Sequence, residues 1–278
     1  MALEPGLYVA ATPIGNLKDV TYRVIEALKE ADLILCEDTR QTAKLCAAYG
    51  IATSRAPYHD HNADRVRPAI LKKLEAGARI CLVSDAGTPL ISDPGYKLVR
   101  EARDRGVNVI PLPGPSAAIA ALSAAGAPTD RFLFAGFPPA KTAARETFFR
   151  DLARLETTLV IYETAPRLAE SLAAMAKAFG ERRASVAREL TKIYEEFREG
   201  DISELAAHYA ATPPKGEIVV VIHPPARHEA ASEADIDAFL ARALDDMTVK
   251  DAAAAAAQAL KVPRKEAYAR ALMKKARR

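Results

Sequence analysis

Short apolar runs alternate with stretches of helical spacing along most of the chain. The apolar runs fall at 6–11, 33–36, 79–84, 108–111, 131–135, 158–162, 184–187 and 217–222. Apolar positions recurring every three to four residues predict helices over 20–30, 39–49, 63–75, 96–105, 116–125, 144–155, 166–179 and 202–210. Strand and helix in alternation predict an α/β architecture with a largely parallel sheet. Two stretches interrupt the pattern: PLPGPS at 111–116 and HPPARHEAASE at 223–233. They divide the chain into 1–113, 114–226 and 227–278, read as two α/β domains and a small C-terminal unit.

In open α/β sheets, ligands bind beyond the carboxyl ends of the strands. Three loops at such ends are unusual: ATPIGN at 11–16, SDAGTPLISDPG at 84–95 and PLPGPSAA at 111–118. All three are expected to line one cleft. The stretch VSDAGTPLISDPG holds two Asp, two Gly and two Pro, with no His, Cys, Lys or Arg. Glycine lets bare backbone approach a ligand, and proline stiffens the turns around it. The loop offers a phosphate no cation, which points to a small non-phosphorylated ligand with hydroxyl or amino groups. ATPIGN carries neither GK[ST] nor GxGxxG, which disfavours nucleoside triphosphates and NAD. Asn16 is placed near the cap of the helix that follows.

Composition narrows the class. Half of the 278 residues are hydrophobic, Trp is absent and aromatics are 6%, so the core is expected to be Ala, Leu, Val and Ile. Cys36, Cys46 and Cys81 lie in apolar segments with no CxxC pair, the pattern of buried free thiols rather than of disulfides or a zinc site. The N-terminal residues lack the basic region and long apolar run of a signal peptide, and no window is apolar enough to span a membrane. The expectation is a soluble, cytoplasmic protein.

The net charge is only +3, but it is unevenly placed. The segment 229–251 is acidic, with Glu229, Glu233, Asp235, Asp237, Asp245, Asp246 and Asp251 against Arg242 and Lys250. The segment 261–278 is basic, with Lys261, Arg264, Lys265, Arg270, Lys274, Lys275, Arg277 and Arg278 against Glu266. Thr248 reads as an N-cap with Asp251 three residues on. A helix over 252–260, a turn at 261–264 and a second helix over 265–275 make a helix-turn-helix-like unit. Its basic side suits phosphates without reading sequence, although a solvated tail has the same composition.

Charged clusters sit at several strand ends. Glu37, Asp38 and Arg40 lie in CEDTRQT, and His59, Asp60 and His61 in PYHDHNADR. The two His have no third well-spaced ligand, so no metal is expected there; they suit a proton-handling loop or a plain surface loop. Glu163 and Arg167 in YETAPR, and Arg188, Glu189 and Lys192 in RELTK, are either cleft charges or surface ion pairs. No Ser-His-Asp or Cys-His set stands out, and GxSxG is absent.

Taken together, YVAATPIGNLKDVT, CEDTR, YHDHN, VSDAGTPLISDPG, PLPGPSAA, FAGFPP, YETAPR, RELTK and PKGEIVVVI stand in an order that resembles the ribosomal RNA small-subunit methyltransferase I family. That family lies within the tetrapyrrole-methylase class of S-adenosylmethionine-dependent enzymes. The resemblance covers nearly the whole chain, and SDAGTPLISDPG with PLPGPSAA is its specific part. It implies two α/β domains of the tetrapyrrole-methylase type with a cofactor cleft between them, and a homodimer. It implies methyl transfer to the ribose 2′-hydroxyl of a cytidine in the decoding region of small-subunit rRNA. It implies S-adenosyl-L-methionine contacts at Pro13, Asp85, Gly87, Thr88, Pro89, Ser116, Ala117 and Glu163, with positions following the Tyr162 strand and near Glu189 or Leu190 as further matches. ATPIGN departs from the Gly-rich stretch of the tetrapyrrole enzymes, which argues against a porphyrinoid substrate. A ribose hydroxyl is a weak acid, so a base is expected among Asp38, His59, His61 and Glu189. Arg40, Arg188 and Lys192 suit rRNA phosphates. The competing readings are a precorrin-type methyltransferase and a non-catalytic RNA-binding assembly factor.

Overall fold

The computed structural model describes residues 3–226, 232–260 and 262–276. Of the tail charges, Glu229, Lys261, Arg277 and Arg278 lie outside the described residues. The contacts within the chain separate two units that meet at Pro225 and Ala226.

The first half of the larger unit runs β1 (Gly6–Ala10), α1 (Tyr22–Glu30), β2 (Leu33–Cys36), α2 (Thr39–Tyr49), β3 (Arg55–Pro57), α3 (Asp60–Glu75), β4 (Arg79–Leu82), α4 (Tyr96–Asp104) and β5 (Val109–Leu112). Its strands form an all-parallel sheet in the order β3-β2-β4-β1-β5. Consecutive strand residues are buried on opposite faces. Tyr8, Ile34 and Cys81 join one core cluster, and their neighbours Leu7, Leu35 and Ile80 join the other. Burial on both sides is the reason these strands read as continuous apolar runs. Helix ends follow local chemistry. Thr21 Oγ1 accepts the Val24 N–H to start α1, and Gly50, at φ 61°, closes α2. Asn16 caps a 3₁₀ turn (Leu17–Asp19) instead of α1 itself.

The second half runs α5 (Ala117–Ala124), β6 (Phe132–Gly136), α6 (Thr142–Leu152), β7 (Thr158–Thr164), α7 (Leu168–Phe179), β8 (Arg183–Arg188), β9 (Glu196–Asp201), α8 (Ile202–Ala211) and β10 (Glu217–Ile222). The order is β6-β7-β10-β8-β9. Only β6 and β7 pair in parallel; β10 runs antiparallel to both its neighbours, as does β9 to β8. The expectation of a largely parallel sheet therefore holds for the first sheet and fails for the second. The short link from β8 to β9 admits only a hairpin, because a parallel return needs a full crossover. The same alternation of faces recurs, with Leu159 and Ile161 on one side and Val160 on the other.

Two strands are invisible to an apolar-run search. β3 and β9 each pair on one side only, as sheet edges, and their residues are mostly exposed. An edge strand needs no buried second flank, and charge there discourages unwanted pairing.

The smaller unit holds three described helices: α9 (Glu233–Asp246), α10 (Val249–Ala259) and α11 (Arg264–Ala276). The acidic stretch conceals α9, whose Ile236 and Leu240 make the apolar contact one turn apart. Thr248 caps α10 by accepting the Asp251 N–H at 3.3 Å, and Ser232 does the same for α9 through Asp235 at 3.1 Å. Ala252, Ala253, Ala256, Ala267 and Ala271 let α10 and α11 approach closely. Arg270 of α11 turns back to Glu233 and Asp237 of α9, both at 2.8 Å.

Candidate functional site

A cavity of about 410 Å³ lies where the carboxyl ends of the first sheet meet the second sheet. Ile14, the loop from Asp85 to Asp93, and Ser116 with Ala117 line one side. Phe137, the end of β7 from Tyr162, Leu190 and the start of β10 from Gly216 line the other. The three loops expected at one cleft do converge there.

The first side is built on backbone pairing. Thr12 and Gly87 exchange two hydrogen bonds, at 2.8 and 3.0 Å, as an isolated antiparallel bridge. Gly87 holds φ +80° to make that bridge, a conformation in which a side chain is strained. The bridge leaves Ile14, not Pro13, on the cavity wall. Thr88 Oγ1 donates to the Pro115 carbonyl at 3.0 Å, tying this loop to the start of α5. Leu90 and Ser92, at φ 71° and 67°, adopt the left-handed region without being glycine. Each such residue stores roughly 1 kcal/mol or more, held in place by its surroundings.

The second side is braced from behind. The Tyr162 hydroxyl accepts the Ala118 N–H at 3.1 Å, and its ring meets Phe134 and Phe137 edge-on with centroids 4.8 and 5.4 Å away. The Glu163 side chain is 0% exposed. Its carboxylate accepts the Thr164 N–H at 2.8 Å and a short bond from the Ser171 hydroxyl, and it faces Arg167 at 3.5 Å. Arg167 in turn donates to the carbonyls of Pro138 and Pro139 at 2.7 and 3.1 Å, fixing the segment that presents Phe137.

The two sides touch at Gly15. A Cβ there would stand 2.5 Å from Lys192 Cγ, 2.8 Å from Thr191 Oγ1 and 3.0 Å from the Leu190 carbonyl. ATPIGN and RELTK are thus in direct contact. Glu189, at φ 51°, folds its carboxylate against Gly216, taking the Glu217 N–H at 3.0 Å and Lys192 Nζ at 2.7 Å. The Lys192 ammonium is the main reason the Glu189 carboxyl sits below its usual range.

Electrostatically, no Lys or Arg is among the described lining residues, whereas Asp85, Asp93 and Glu217 are. Burial pushes the Asp93 carboxyl up to about 6; the nearby Glu37 and Asp85 add to the shift, and the Ser84 hydroxyl opposes it. Burial also raises Glu37, followed by the charges of Asp85 and Asp60. Tyr162 is raised by burial first, with Asp93 among the contributing charges. The cavity therefore suits a compact ligand carrying positive charge and hydrogen-bond donors, with apolar wall from Ile14, Phe137 and Leu190.

The residues singled out from sequence divide clearly. Asp85, Gly87, Thr88, Ser116 and Ala117 line the cavity. Glu163 also borders it, but its fully covered side chain leaves only backbone for a ligand. Pro13 and Pro89 are not on the wall, and Pro89 is buried. None of the four base candidates is on the wall either. Asp38 caps α2 and pairs with Arg40 at 2.7 Å. His59 precedes the first turn of α3, with His61 6.0 Å away ring to ring. Glu189 braces the turn at Gly216. Arg188 pairs with Glu196 at 2.9 Å and Lys192 with Glu189 and Glu217, so both hold loops in place. Arg40, with its side chain 89% exposed, presents its guanidinium to solvent.

Sequence reasoning passed over Asp93, Tyr162, Phe137 and the start of β10. Asp93 stood inside a quoted motif, as the second Asp of SDAGTPLISDPG, but nothing local marks which of the two is desolvated. The three cysteines are buried and free, and the described residues hold no group of three His, Cys, Asp or Glu suited to a metal. No described helix is long and apolar enough to cross a membrane.

Comparison with known proteins assigns the fold. The family described as Tetrapyrrole (Corrin/Porphyrin) Methylases matches residues 6–206, and the RsmI C-terminal HTH domain matches residues 230–275. Ribosomal RNA small subunit methyltransferase I of Mesorhizobium japonicum is 51% identical over 258 residues, covering 92% of this chain and 87% of that protein. The protein of the same name from Escherichia coli O157:H7 is 44% identical over 269 residues, covering 96% and 94%. Among solved structures, a cobalt precorrin-4 methyltransferase matches with a TM-score of 0.60 at 16% identity, over 78% of this chain and 94% of that one. A uroporphyrin-III C-methyltransferase from Thermus thermophilus, complexed with S-adenosyl homocysteine, matches with a TM-score of 0.54 at 18% identity, over 78% and 97%. By sequence and by fold, this chain belongs to the ribosomal RNA small subunit methyltransferase I family of tetrapyrrole methylases.

Proposed function

We propose that the chain transfers a methyl group from S-adenosyl-L-methionine to the ribose 2′-hydroxyl of a cytidine in the decoding region of small-subunit ribosomal RNA. The observation that carries this reading is the separation of charge. The cavity is acid-lined and free of Lys and Arg among its described lining residues, while exposed cations are carried by Arg40 and, within the smaller unit, by α11.

The residues present fit the cofactor. Asp85, on the wall, complements a cationic donor with an amino group. The start of α5 lines the cavity through Ser116 and Ala117, and a helix N-terminus is a setting suited to a carboxylate. Ile14, Phe137 and Leu190 supply apolar wall for an adenine. Bound there, the cofactor supplies a methyl group on a positively charged sulfur that is its own leaving group. The protein's task is to align the hydroxyl with that methyl and to accept a proton.

On the RNA side, Arg40 is open to a phosphate, whereas Arg188 and Lys192 shape the loop against which the RNA lies. Lys265, Lys274 and Lys275 of α11 provide sequence-independent backbone contacts. A porphyrinoid substrate would leave those lysines without a role. We further propose that the enzyme works in the cytoplasm as a homodimer.

The test is incubation with small ribosomal subunits and methyl-labelled cofactor, followed by mass mapping of the rRNA. One cytidine carrying the label on its ribose is the expected result. Label on a base, or none on rRNA, overturns the reading. Sedimentation equilibrium checks the dimer.

A further inference from the structure

We propose that Asp93 is the group that takes the proton from the methyl-accepting hydroxyl. This assignment rests on the ribose-methyltransferase reading above, and it replaces four candidates that stand off the cavity wall.

Four carboxylates border the cavity. Asp85 uses one oxygen to accept the Asp38 N–H at 2.9 Å. Glu163 is covered and saturated by Ser171, Thr164 and Arg167. Glu217 is paired with Lys192 at 2.8 Å. Asp93 has no ion-pair partner among the described residues and is only partly exposed. A base must reach the reacting atom and must not be committed elsewhere. Asp93 borders the cavity and is held by the Ser84 hydroxyl rather than by an ion pair or a backbone N–H, which makes it the least committed of the four.

Its placement is enforced by backbone. Ser92, immediately before it, is held at φ 67°, and Pro94 follows. Gly95, at φ +130°, closes the loop onto Leu82, whose Cδ2 would lie 2.8 Å from an added Cβ. The groups that act on Asp93 come from several elements. Ser84 follows β4 and is its hydrogen-bonding neighbour; Glu37 follows β2; Asp85 shares its loop; and Asp93 in turn raises the Tyr162 hydroxyl of β7. All the charged neighbours are acidic, so they favour the proton-accepting direction once a substrate hydroxyl is in reach.

The step balances without another co-reactant. The hydroxyl proton passes to a carboxylate oxygen of Asp93 while the ribose oxygen takes the methyl carbon. The carbon–sulfur electron pair stays with the departing thioether, which cancels the sulfonium charge.

The test compares wild type, Asp93→Asn and Asp93→Glu in single-turnover methylation of small subunits from pH 5 to 9, with cofactor affinity by calorimetry on the same samples. Asp93→Asn is expected to slow transfer by about 10²–10⁴-fold while cofactor affinity changes by less than about threefold. Asp93→Glu is expected to recover part of the rate. The wild-type rate is expected to fall on acidification through about pH 6, a limb that Asp93→Asn lacks. An Asn variant within threefold of wild type overturns the assignment, as does a loss of cofactor affinity as large as the loss of rate. Wild type that methylates no small subunit sinks the functional reading itself, a result separate from either.

Discussion

The Asp85 carboxylate accepts the backbone N–H of Asp38 at 2.9 Å. This bond joins the loop after β4 to the N-cap of α2, so a residue 47 positions away in sequence braces the cavity loop from outside the wall. Asp38 is thereby a framework residue. Its own carboxylate caps the Arg40 N–H at 2.8 Å and is held well below the usual range, about 2, by the Arg40 side chain.

Charge and hydrogen bond at Asp85 are separable. In Asp85→Asn the amide oxygen still accepts the Asp38 N–H, but the negative charge facing the cavity is gone. Cofactor affinity is expected to fall about tenfold, a loss of about 1.4 kcal/mol, with unfolding free energy unchanged within about 1 kcal/mol. Calorimetry and urea titration read the two quantities. Undiminished affinity would remove the Asp85 charge from cofactor recognition.

Gly15 marks where the two sheets' loops close on each other. Gly15→Ala places a methyl 2.5 Å from Lys192 Cγ and 3.0 Å from the Leu190 carbonyl, and only the lysine stem can yield. The expected cost is about 1–3 kcal/mol of stability from overpacking, with weaker cofactor binding because Leu190 lines the cavity. Denaturant unfolding and calorimetry test both; wild-type values for each would show that the loops part without consequence.

Asp93 carries a stability signature. Its folded-state carboxyl is raised from 3.8 to about 6, so the folded protein binds the proton more tightly than the unfolded chain does. Stability is therefore lost as pH rises from about 4 to about 6 and stays reduced at pH 7. Asp93→Asn removes the buried charge and is expected to raise stability at pH 7 by about 1–2 kcal/mol, with no gain at pH 4. Thermal unfolding at the two pH values decides it, and an equal effect at both would contradict the burial of an ionised Asp93.

The C-terminal helices form their own core around Ile236, Leu240 and Ala256. A chain ending at Pro225 is expected to keep cofactor affinity within about twofold. Its binding to small subunits should weaken at least tenfold and lose part of its salt dependence, because the α11 lysines release counterions from RNA. Filter binding at two salt concentrations is the measurement. Unaltered subunit affinity would leave α11 without a part in RNA binding.

Much of the fold was legible before any coordinates. Central strands buried on both faces must be apolar without interruption, so β1, β2, β4, β7 and β10 declare themselves. Thr248 with Asp251 announces α10 because N-capping is chemistry of adjacent residues. The edge strands β3 and β9 do not declare themselves, since one flank lies open. Helix α9 was hidden in a run of acids whose two apolar anchors look sparse in isolation.

The sequence by itself determined the layered α/β organisation, the three ligand loops, the free buried thiols and the charged helical tail. Each follows from short-range periodicity, turn chemistry or composition. Only the tertiary structure decided the antiparallel pairing of the second sheet and which strand-end charges face the cavity. It turned Glu163, Glu189, Arg188 and Lys192 into braces and left Asp93 partly desolvated and without an ion pair among the described residues. A carboxylate's role depends on what lies within a few ångströms of it, and at this site those neighbours come from β2, β4 and β7, far apart in the chain.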